Sequence, residues 1–575
     1  MELLEQLVHN GIIIAPRPPR YDLALSVRGE SIALSAGQEE MALAWARKLG
    51  TPYVDDPVFR HNFMADLSAA LGIDPPLSVD EVDFGPAMAI IEAERQAKAS
   101  LSSEERKAAA AERKAQREAL KEHFGHAIVN GERVELANYL TEPSGIFMGR
   151  GDHPLRGRWK EGARAEDVTL NLSPDAPVPP GNWGEIVWQP DCIWVARWED
   201  KLSGKLKYIW LSDTAPIKQE REALKFDQAM ELAENLERVR AGILEDLNST
   251  DETRMKLATA CYLIDKLCLR VGDEKEPDEA DTVGATTLRP EHVRLNGDQT
   301  AEFKFLGKDS VLWHRTVALD PAVMENLAYL IENARPSGGG NGRDRPQIFP
   351  GIGSRDVSQY LSELLPGLSA KVFRTHHATR AVAASLRESG VTAGDPEFRK
   401  QEAAVLANME AARLCNHTKQ MPANWPAREE RMKERRERAR ERVEKARAQV
   451  KELRAALEAL REEGRAAEEA AAEEKRAAVR KRTRKRLATA RRRAETARER
   501  LTRAREALGK VESKNMLATR TRTLNLGTSL KSYIDPRVYC RWGLAVEYDV
   551  LEKFYPKLLQ RKFAWAAEAA LEESR

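Results

Sequence analysis

The stretch VEKARAQVKELRAALEAL, residues 443–460, decides how the last third of this chain folds. Its apolar residues are spaced alternately three and four apart, at Val443, Ala446, Val450, Leu453, Leu457 and Leu460. The same spacing resumes later, at Leu487, Ala490, Ala494, Ala497, Leu501, Ala504, Leu508 and Val511. A heptad seam sustained in this way predicts coiled-coil helices between about 427 and 512.

The two stretches of seam are separated by a break in phase, and Gly464 lies between them. We expect the helix to fold back there into an antiparallel two-helix coiled coil. Each arm would have about 30 residues and a length of about 45 Å. The alternative is one long helix that dimerises in parallel. The hairpin is favoured because the chain must return to place its C-terminal segment.

Composition bounds the rest of the 575-residue chain, which is long enough for several domains. Hydrophobic residues make up 42% and charged residues 32%, and the net charge is only +2, although the basic residues are clustered. The cysteines are scattered without a CxxC pair, which predicts reduced side chains in an intracellular compartment. No apolar run approaches the roughly 20 residues that cross a bilayer.

The segments before the seam predict an α+β multidomain protein. GIIIAP (11–16) resembles a short strand, and Ser100–Leu120 is predicted to be a charged helix. The alternating segments between about 125 and 215 predict antiparallel β structure. Residues 216–424 are predicted to be mainly helical, interrupted by one β-hairpin at 300–319.

Neither of two polar loops has the sequence of a ligand-binding loop. The segment PSGGGNGRDRP (336–346) predicts a flexible surface loop, because a P-loop would need a Gly-Lys-Ser/Thr ending. The acidic run DEKEPDEAD (273–281) does not have the spacing of a calcium loop. It predicts a surface loop whose carboxylates pair with nearby bases.

Five segments contain residue types that suit phosphate chemistry. They are IDKLCLRVGDEKE with Arg270, FLGKDS with Lys308, KVFRT with Arg374, LCNH with His417 and SYIDPR with Tyr533. Taken singly, each residue has a simpler explanation, such as a capping arginine, a turn lysine or a surface tyrosine. Their order along the chain, with a coiled-coil hairpin before the tyrosine, is the specific signal.

This ordered set resembles the eukaryotic-type (type IB) DNA topoisomerases over almost the whole chain. The segment EPSGIFMGRGDHPLRGRW (142–159) is similar to the DNA-clamping lip of that family. The resemblance implies four domains: an N-terminal mixed α/β cap at 1–199, a mainly helical, recombinase-like catalytic core at 200–424, a coiled-coil linker at 425–514 and a small helical domain at 515–575.

The resemblance also implies roles for five catalytic residues. Tyr533 would attack a phosphodiester of duplex DNA and form a 3′-phosphotyrosine ester. Arg270 and Arg374 would stabilise the charge that builds on the phosphate oxygens, and His417 would donate a further hydrogen bond. Lys308 would act as general acid for the leaving 5′ oxygen.

Other residues are expected to hold DNA without reacting, namely Arg150, His153, Lys207, Asp309 and Ser532. Because one phosphodiester replaces another, no ATP is expected. Because Arg270, Arg374 and His417 would together replace a metal ion, no metal or other cofactor is expected either. The partner would be double-stranded DNA, not a membrane, and the protein would act as a monomer.

The chain departs from the family pattern at Ser532, where an asparagine is usual, and the preceding Ser-Leu-Lys replaces Ser-Lys-Leu. The lysine-rich N-terminal region of nuclear members is also missing. We therefore expect an archaeal or other prokaryotic source and a location in the cytoplasm or nucleoid, or in the nucleus if the source is eukaryotic.

Three other functions share some of these features. A tyrosine recombinase or integrase has the same catalytic logic, but its second arginine usually lies in a His-x-x-Arg box, where this chain has Lys371-Val372-Phe373-Arg374. An architectural DNA-binding protein would use the coiled coil for dimerisation and would not need Tyr533. A metal-dependent type IA topoisomerase or nuclease would lose its activity in chelator.

Overall fold

The computed structural model describes residues 3–276, 278–336 and 345–572. The chain forms two compact units, Met1–Val372 and Phe373–Arg575. Most of the loop predicted at 336–346 lies outside the described residues. The boundaries of the four domains expected from the sequence stay predictions.

The first half of the Met1–Val372 unit mixes short strands with four helices. In chain order these are β1 Leu7–His9, β2 Ala24–Val27, β3 Glu30–Ala33, α1 Ala36–Ala46, α2 Pro57–Leu71, β4 Val82–Asp83, α3 Gly85–Ser100, α4 Ser103–Phe124, β5 His126–Val129, β6 Glu132–Glu135, β7 Gly145–Ile146, β8 Trp159–Lys160, β9 Val168–Asn171, β10 Glu185–Val187, β11 Trp194–Glu199 and β12 Leu206–Trp210. Helix α4 buries no side chain, as its charged sequence predicts.

Local sequence signals explain where the first helices begin. Ser35 and Gln38 form a capping box at the start of α1. Asp56 accepts hydrogen bonds from the first turn of α2, whose first residue is Pro57. Both helices pack into one apolar core around Trp45, which is fully buried.

A second apolar core lies under the sheet that has the strand order β10-β9-β11-β12. The expected antiparallel pairing is confirmed for β9 with β11 and for β11 with β12, but β10 pairs with β9 in parallel. GIIIAP is not a strand: Ile13 makes a single bridge to Leu140, while Ile12 packs into the core. An apolar run can thus be buried without a neighbouring strand to pair with.

The second half of this unit is mainly helical, as expected. Its elements are α5 Pro216–Asp246, α6 Glu252–Leu267, β13 Val293–Leu295, β14 Thr300–Gly307, β15 Val311–Ala318, α7 Pro321–Glu332 and α8 Ser354–Leu364. The predicted hairpin is β14 and β15, paired antiparallel from Thr300 with Ala318 to Gly307 with Val311. Lys308, Asp309 and Ser310 form its turn, and β13 adds a third strand.

The Phe373–Arg575 unit is built from helices. They are α9 Ala370–Glu388, which begins just before it, α10 Glu397–Leu414, α11 Trp425–Glu469, α12 Glu473–Thr521, α13 Leu526–Ser532, α14 Pro536–Ala545, α15 Val550–Lys553, α16 Lys557–Lys562 and α17 Trp565–Glu572. Helix α14 begins where Asp535 caps its first turn, immediately before Pro536.

Helices α11 and α12 lie antiparallel along each other. Near their far end Glu468 pairs with Arg480, and near the core the Asn515 side chain donates to the Met432 carbonyl at 2.9 Å. The predicted seam residues are the less exposed ones on both helices, with Val450 and Ala497 buried. The helices have 45 and 49 residues, longer than the predicted arms.

The fold-back predicted at Gly464 is wrong. Gly464 lies inside α11, and the connection between the helices is at 470–472. A side-chain carbon at Gly464 would lie 2.3 Å from the Cγ2 atom of Thr483. The glycine therefore marks a close approach of the two helices and not a turn.

No helix in the described part of the chain has the length and apolar character needed to cross a membrane.

Candidate active site

Arg374 is the buried centre of a cluster in the Phe373–Arg575 unit. It lies in the second turn of α9 and is only 4% exposed. Its Nη2 atom donates a hydrogen bond to the Cys415 carbonyl at 3.0 Å. Its Nε atom is buried and has no hydrogen-bond acceptor among the described residues. A buried guanidinium with donor capacity to spare suits an anion such as phosphate.

His417 reaches Arg374 from the segment after α10. Asn416 adopts a left-handed conformation, with φ of 53°, and turns the chain at the end of that helix. The His417 N–H then donates to the Ala412 carbonyl at 2.8 Å. The ring is 6% exposed, and its Nε2 atom lies 3.3 Å from Nη2 of Arg374.

Ser529 sets the orientation of this histidine ring. Its Oγ atom lies 3.2 Å from Nδ1 of His417. Because an arginine only donates hydrogen bonds, the contact with Arg374 makes Nε2 the acceptor. The neutral ring then carries its hydrogen on Nδ1 and donates it to Ser529. The ring is thus held at both nitrogens.

Tyr533 packs against both of these residues. It follows the last residue of α13, Ser532, and is itself 8% exposed. The Arg374 guanidinium lies 4.7 Å from the centre of the Tyr533 ring, and the centres of the His417 and Tyr533 rings are 5.2 Å apart. Three of the five predicted catalytic residues therefore meet in one buried cluster.

Backbone pairing at the base of α11 and α12 places α13 beside His417. The Lys419 N–H donates to the Thr523 carbonyl, and the Asn525 N–H donates to the His417 carbonyl, both at 2.8 Å. Thr418 bridges to Leu524 between them. After the two long helices, the chain therefore returns to pair with the segment 417–419 that precedes them.

Arg270 lies in the Met1–Val372 unit, just after α6. Cys268 ends that helix in a left-handed conformation, and Leu269 anchors the following segment in the core. The Arg270 carbonyl accepts a hydrogen bond from the Ala285 N–H at 2.9 Å. Gly272 is needed close by, because a side-chain carbon there would lie 2.7 Å from the Cα atom of Gly284.

Lys308 is exposed at the tip of the hairpin of β14 and β15. The short segment 283–285 ties this hairpin to the Arg270 loop. The Val283 N–H donates to the Leu306 carbonyl at 2.8 Å, while Ala285 bonds to Arg270 as described above. One piece of extended chain thus fixes the backbone positions of both predicted catalytic residues in this unit.

Four of the five predicted DNA-binding residues line one cavity of about 560 Å³ in the same unit, namely Arg150, His153, Lys207 and Asp309. Arg150 and Asp309 form an ion pair at 2.7 Å, with side chains 74% and 51% exposed. Burial lowers the pKa of His153, whose Nδ1 accepts from the Leu155 N–H. The fifth residue, Ser532, lies in the other unit beside Tyr533.

The acidic residues after Arg270, at 273–276 and 278–281, lie in a surface loop, as the sequence predicts. Glu279 pairs with Lys205, and Asp281 pairs with Arg289 at 2.5 Å and with Arg345 at 2.9 Å. Lys205 and Glu279 also line the cavity. Among the described residues no three His, Cys, Asp or Glu side chains gather closely enough to hold a metal ion.

Sequence reasoning missed several residues that shape these sites. Ser529 and Thr379 contact His417 and the Tyr533 segment, but serine and threonine are too common to stand out. Asp200 is 4% exposed and pairs with Lys160 at 2.6 Å, with Lys207 at 3.7 Å. In the sequence, Asp200 appears only as one acidic residue between an alternating segment and a glycine turn.

Three family models match consecutive parts of the chain. "Eukaryotic DNA topoisomerase I, DNA binding fragment" matches residues 4–211. "Eukaryotic DNA topoisomerase I, catalytic core" matches residues 214–453. "C-terminal topoisomerase domain" matches residues 505–573. The cavity residues Arg150, His153 and Lys207 fall in the first match and Tyr533 in the third.

Curated relatives are similar over nearly the whole chain. DNA topoisomerase 1 beta of Arabidopsis thaliana is 31% identical over 570 residues, which cover 98% of this chain and 58% of the relative. DNA topoisomerase 1 of Homo sapiens is 30% identical over 590 residues, covering 99% of this chain and 71% of the relative. DNA topoisomerase 1 of Candidozyma auris is 33% identical over 451 residues, covering 76% and 58%.

The chain spans little more than half the length of several of these relatives. The relatives named here are eukaryotic, so they give no support to the archaeal or prokaryotic source expected from the sequence.

Proposed function

Because the chain belongs to the eukaryotic DNA topoisomerase I family, we propose that it relaxes supercoiled duplex DNA by cutting and resealing one strand. The family is established by relatives such as the human enzyme, which matches at 30% identity with 71% of its length covered. The observation that carries the proposal is the buried cluster of Arg374, His417 and Tyr533. In this cluster the ring of Tyr533, the proposed nucleophile, lies against Arg374, the proposed phosphate-binding residue.

The cluster supports a covalent mechanism. The Tyr533 hydroxyl loses its proton to water, and its oxygen attacks the phosphorus to form a phosphotyrosine ester at the DNA 3′ end while the bond to the 5′ oxygen breaks. A phosphate oxygen takes the place of His417 Nε2 as acceptor for Arg374. His417 takes up a proton from water at Nε2 and donates it in a hydrogen bond to the same phosphate. Donors that are already in place in a buried site stabilise the transition state strongly.

Arg270 and Lys308 complete this chemistry in the proposal. Arg270 supplies a second planar cation for the phosphate oxygens, and Lys308 protonates the leaving 5′ oxygen. Resealing reverses each step, with the 5′ hydroxyl as nucleophile and the tyrosine oxygen as leaving group. The phosphodiester bond energy is kept throughout, so ATP is not required. The two arginines and His417 stabilise the phosphate charge, so a metal ion is not required either.

The cavity residues are proposed to hold the duplex while the cut strand rotates. Arg150 and Lys207 would contact phosphates, and such contacts position DNA without reading its sequence. The pair of helices α11 and α12 is proposed to be a coiled-coil linker that slows rotation. Residues 475–493 of α12 contain eleven basic residues and no acidic residue, which suits a surface that faces DNA.

The oligomeric state, the partner and the location are also part of the proposal. The protein is proposed to act as a monomer on double-stranded DNA. The cytoplasm or nucleoid stays the predicted location, and a eukaryotic source would instead predict the nucleus.

The test is relaxation of supercoiled plasmid in EDTA without ATP. We expect both positive and negative supercoils to relax, and detergent to trap a protein–DNA adduct. Tyr533→Phe removes the attacking oxygen and should abolish both relaxation and adduct. Tyr329→Phe is the matched control, because Tyr329 is an exposed tyrosine on α7.

Other outcomes would point to other functions. A requirement for Mg²⁺ or nucleotide would overturn the metal-free mechanism. Strand joining between two synthetic sites, without relaxation, would identify a recombinase. DNA binding that survives Tyr533→Phe, with no relaxation by the wild-type protein, would identify an architectural protein.

A further inference from the structure

One hydroxyl group ties the main chain around Tyr533 to helix α9. Oγ1 of Thr379 donates a hydrogen bond to the Tyr533 carbonyl at 3.4 Å. The same oxygen accepts one from the Asp535 N–H at 3.0 Å. The hydroxyl therefore spans the short segment from Tyr533 to Asp535, directly after the proposed nucleophile.

The segment held by this hydroxyl is also fixed on its other sides. Ile534 is fully buried, and the Ser529 carbonyl accepts hydrogen bonds from the N–H groups of Tyr533 and Ile534. Asp535 is 2% exposed and forms an ion pair with Arg537 at 2.8 Å. A buried carboxylate that is paired and also caps a helix resists displacement. The link through Thr379 thus joins two firmly held elements.

Helix α9 carries both Arg374 and Thr379, five residues apart. Arg374 contacts the Tyr533 ring, with 4.7 Å from its guanidinium to the ring centre, while Thr379 holds the Tyr533 main chain. One helix therefore sets the position of the phosphate-binding group and of the nucleophile's backbone together.

We propose that Thr379 is a positioning residue for DNA cleavage, which holds the Tyr533 main chain at a fixed distance from Arg374. This inference rests on the proposed function. Rates of reactions between bound groups depend steeply on alignment, and a displacement of about 1 Å can slow them about 100-fold. Losing the hydroxyl should therefore slow the chemical step and leave DNA binding intact, because Thr379 contributes no charge.

The experiment measures covalent adduct formation in a single turnover. The substrate is a duplex whose cut strand ends a few nucleotides beyond the cleavage site, so that the released piece diffuses away. Thr379→Val keeps the shape of the side chain and removes the hydroxyl, whereas Thr379→Ser keeps the hydroxyl. With enzyme in excess, we expect the valine variant to be about 10- to 100-fold slower, and the serine variant to stay within about 3-fold of wild type.

Two further measurements separate positioning from general destabilisation. DNA affinity, from binding by the Tyr533→Phe form of each variant, should change by less than about 2-fold, since no phosphate contact is lost. Thr521→Val removes a hydroxyl that donates to the Leu517 carbonyl within α12, and should leave the cleavage rate unchanged. Thermal melting of all variants shows whether each is folded at the assay temperature. If Thr379→Val is not, Thr379→Ala replaces it in the same comparison.

The outcomes are distinguishable. Cleavage by Thr379→Val at the wild-type rate overturns the inference, and so does equal slowing in the valine and serine variants. A wild-type protein that forms no adduct overturns the proposed function itself. Slow cleavage by the valine variant with rescue by serine, at unchanged affinity, supports the positioning role.

Discussion

The buried cluster of Arg374, His417 and Tyr533 differs sharply from the cavity wall that contains Arg150 and Asp309. The arginine of the cluster is 4% exposed, whereas the Arg150 side chain in the cavity wall is 74% exposed. Charge–charge interactions are strong where water is excluded and weak where it is not. The first arrangement suits stabilisation of a transition state, and the second suits reversible holding of a polyanion.

This difference predicts two kinds of variant. Changes in the buried cluster should slow the chemical step at constant DNA affinity. Changes in the cavity wall should alter affinity and its dependence on salt at a constant chemical step. Each of the following variants either breaks or sharpens that separation.

The largest effect is expected for Arg374→Lys. Lysine keeps the charge but lacks the planar fork that donates to the Cys415 carbonyl and faces His417. The single-turnover cleavage rate should fall about 100- to 1000-fold, with little change in DNA affinity. Arg380→Lys, an exposed position on the same helix, is the control. A rate within 3-fold of wild type corresponds to a change in activation free energy on the order of RT, and it would show that Arg374 takes no part in the chemistry.

Lys308 is exposed and lies outside the buried cluster, but its proposed role as general acid is chemical. Lys308→Ala should therefore slow cleavage about 100-fold, because a general acid typically contributes that much or more. A substrate with sulfur in place of the 5′ bridging oxygen needs no proton on its leaving group, so it should restore the rate of the variant. Lys304→Ala, exposed on β14 of the same hairpin, should behave like wild type. Failure of the sulfur substrate to rescue would show that Lys308 acts by charge alone.

The ion pair of Arg150 and Asp309 should affect binding and not chemistry. Arg150→Ala should weaken DNA binding and reduce the slope of log affinity against log salt by about 1. Asp309→Ala should also weaken binding, since Asp309 is itself proposed to contact the duplex and its carboxylate holds Arg150 in place. The pair itself should contribute no more than about 1 kcal/mol to stability in a double-mutant cycle. A large change in cleavage rate at saturating enzyme would contradict the separation.

The smallest effect is expected from His153 as the pH falls. Burial lowers its pKa below the ordinary value of 6.5, so the ring is mainly neutral at pH 6.5 and gains charge only at lower pH. The nearby carboxylates of Asp278 and Glu279 act in the opposite direction. DNA affinity should rise about 2-fold more between pH 7.5 and 5.5 in the wild type than in His153→Gln. Parallel pH curves would show that His153 does not contact DNA.

The fold could be predicted where a repeating pattern specifies it. The heptad seam correctly predicted which residues of α11 and α12 face each other. The alternation of apolar and polar residues correctly predicted β14 and β15. The position of the fold-back was mispredicted because an alanine-rich end gives no turn signal, while Gly464 is required by its contact with Thr483. A glycine in sequence does not reveal whether it serves a turn or a close approach.

The candidate site could be predicted only through family resemblance. Arg374, His417 and Tyr533 come from segments far apart in sequence, and no local pattern brings them together. The backbone bonds between 417–419 and 523–525 do so, and main-chain pairing at that distance leaves no mark on residue types. The supporting hydroxyl groups of Thr379 and Ser529 could not be predicted either, because their contacts also join segments far apart in sequence.

The backbone bonds between 417–419 and 523–525 make the length of α11 and α12 independent of the chemistry. Because the two segments that flank this helix pair are bonded to each other, matched removal of one heptad from each helix would leave His417 and Tyr533 where they are. Evolution is therefore free to vary the span of this arm in steps of about 10 Å without rebuilding the catalytic cluster. By adding or deleting paired heptads in α11 and α12, a protein engineer can set how far the basic surface extends.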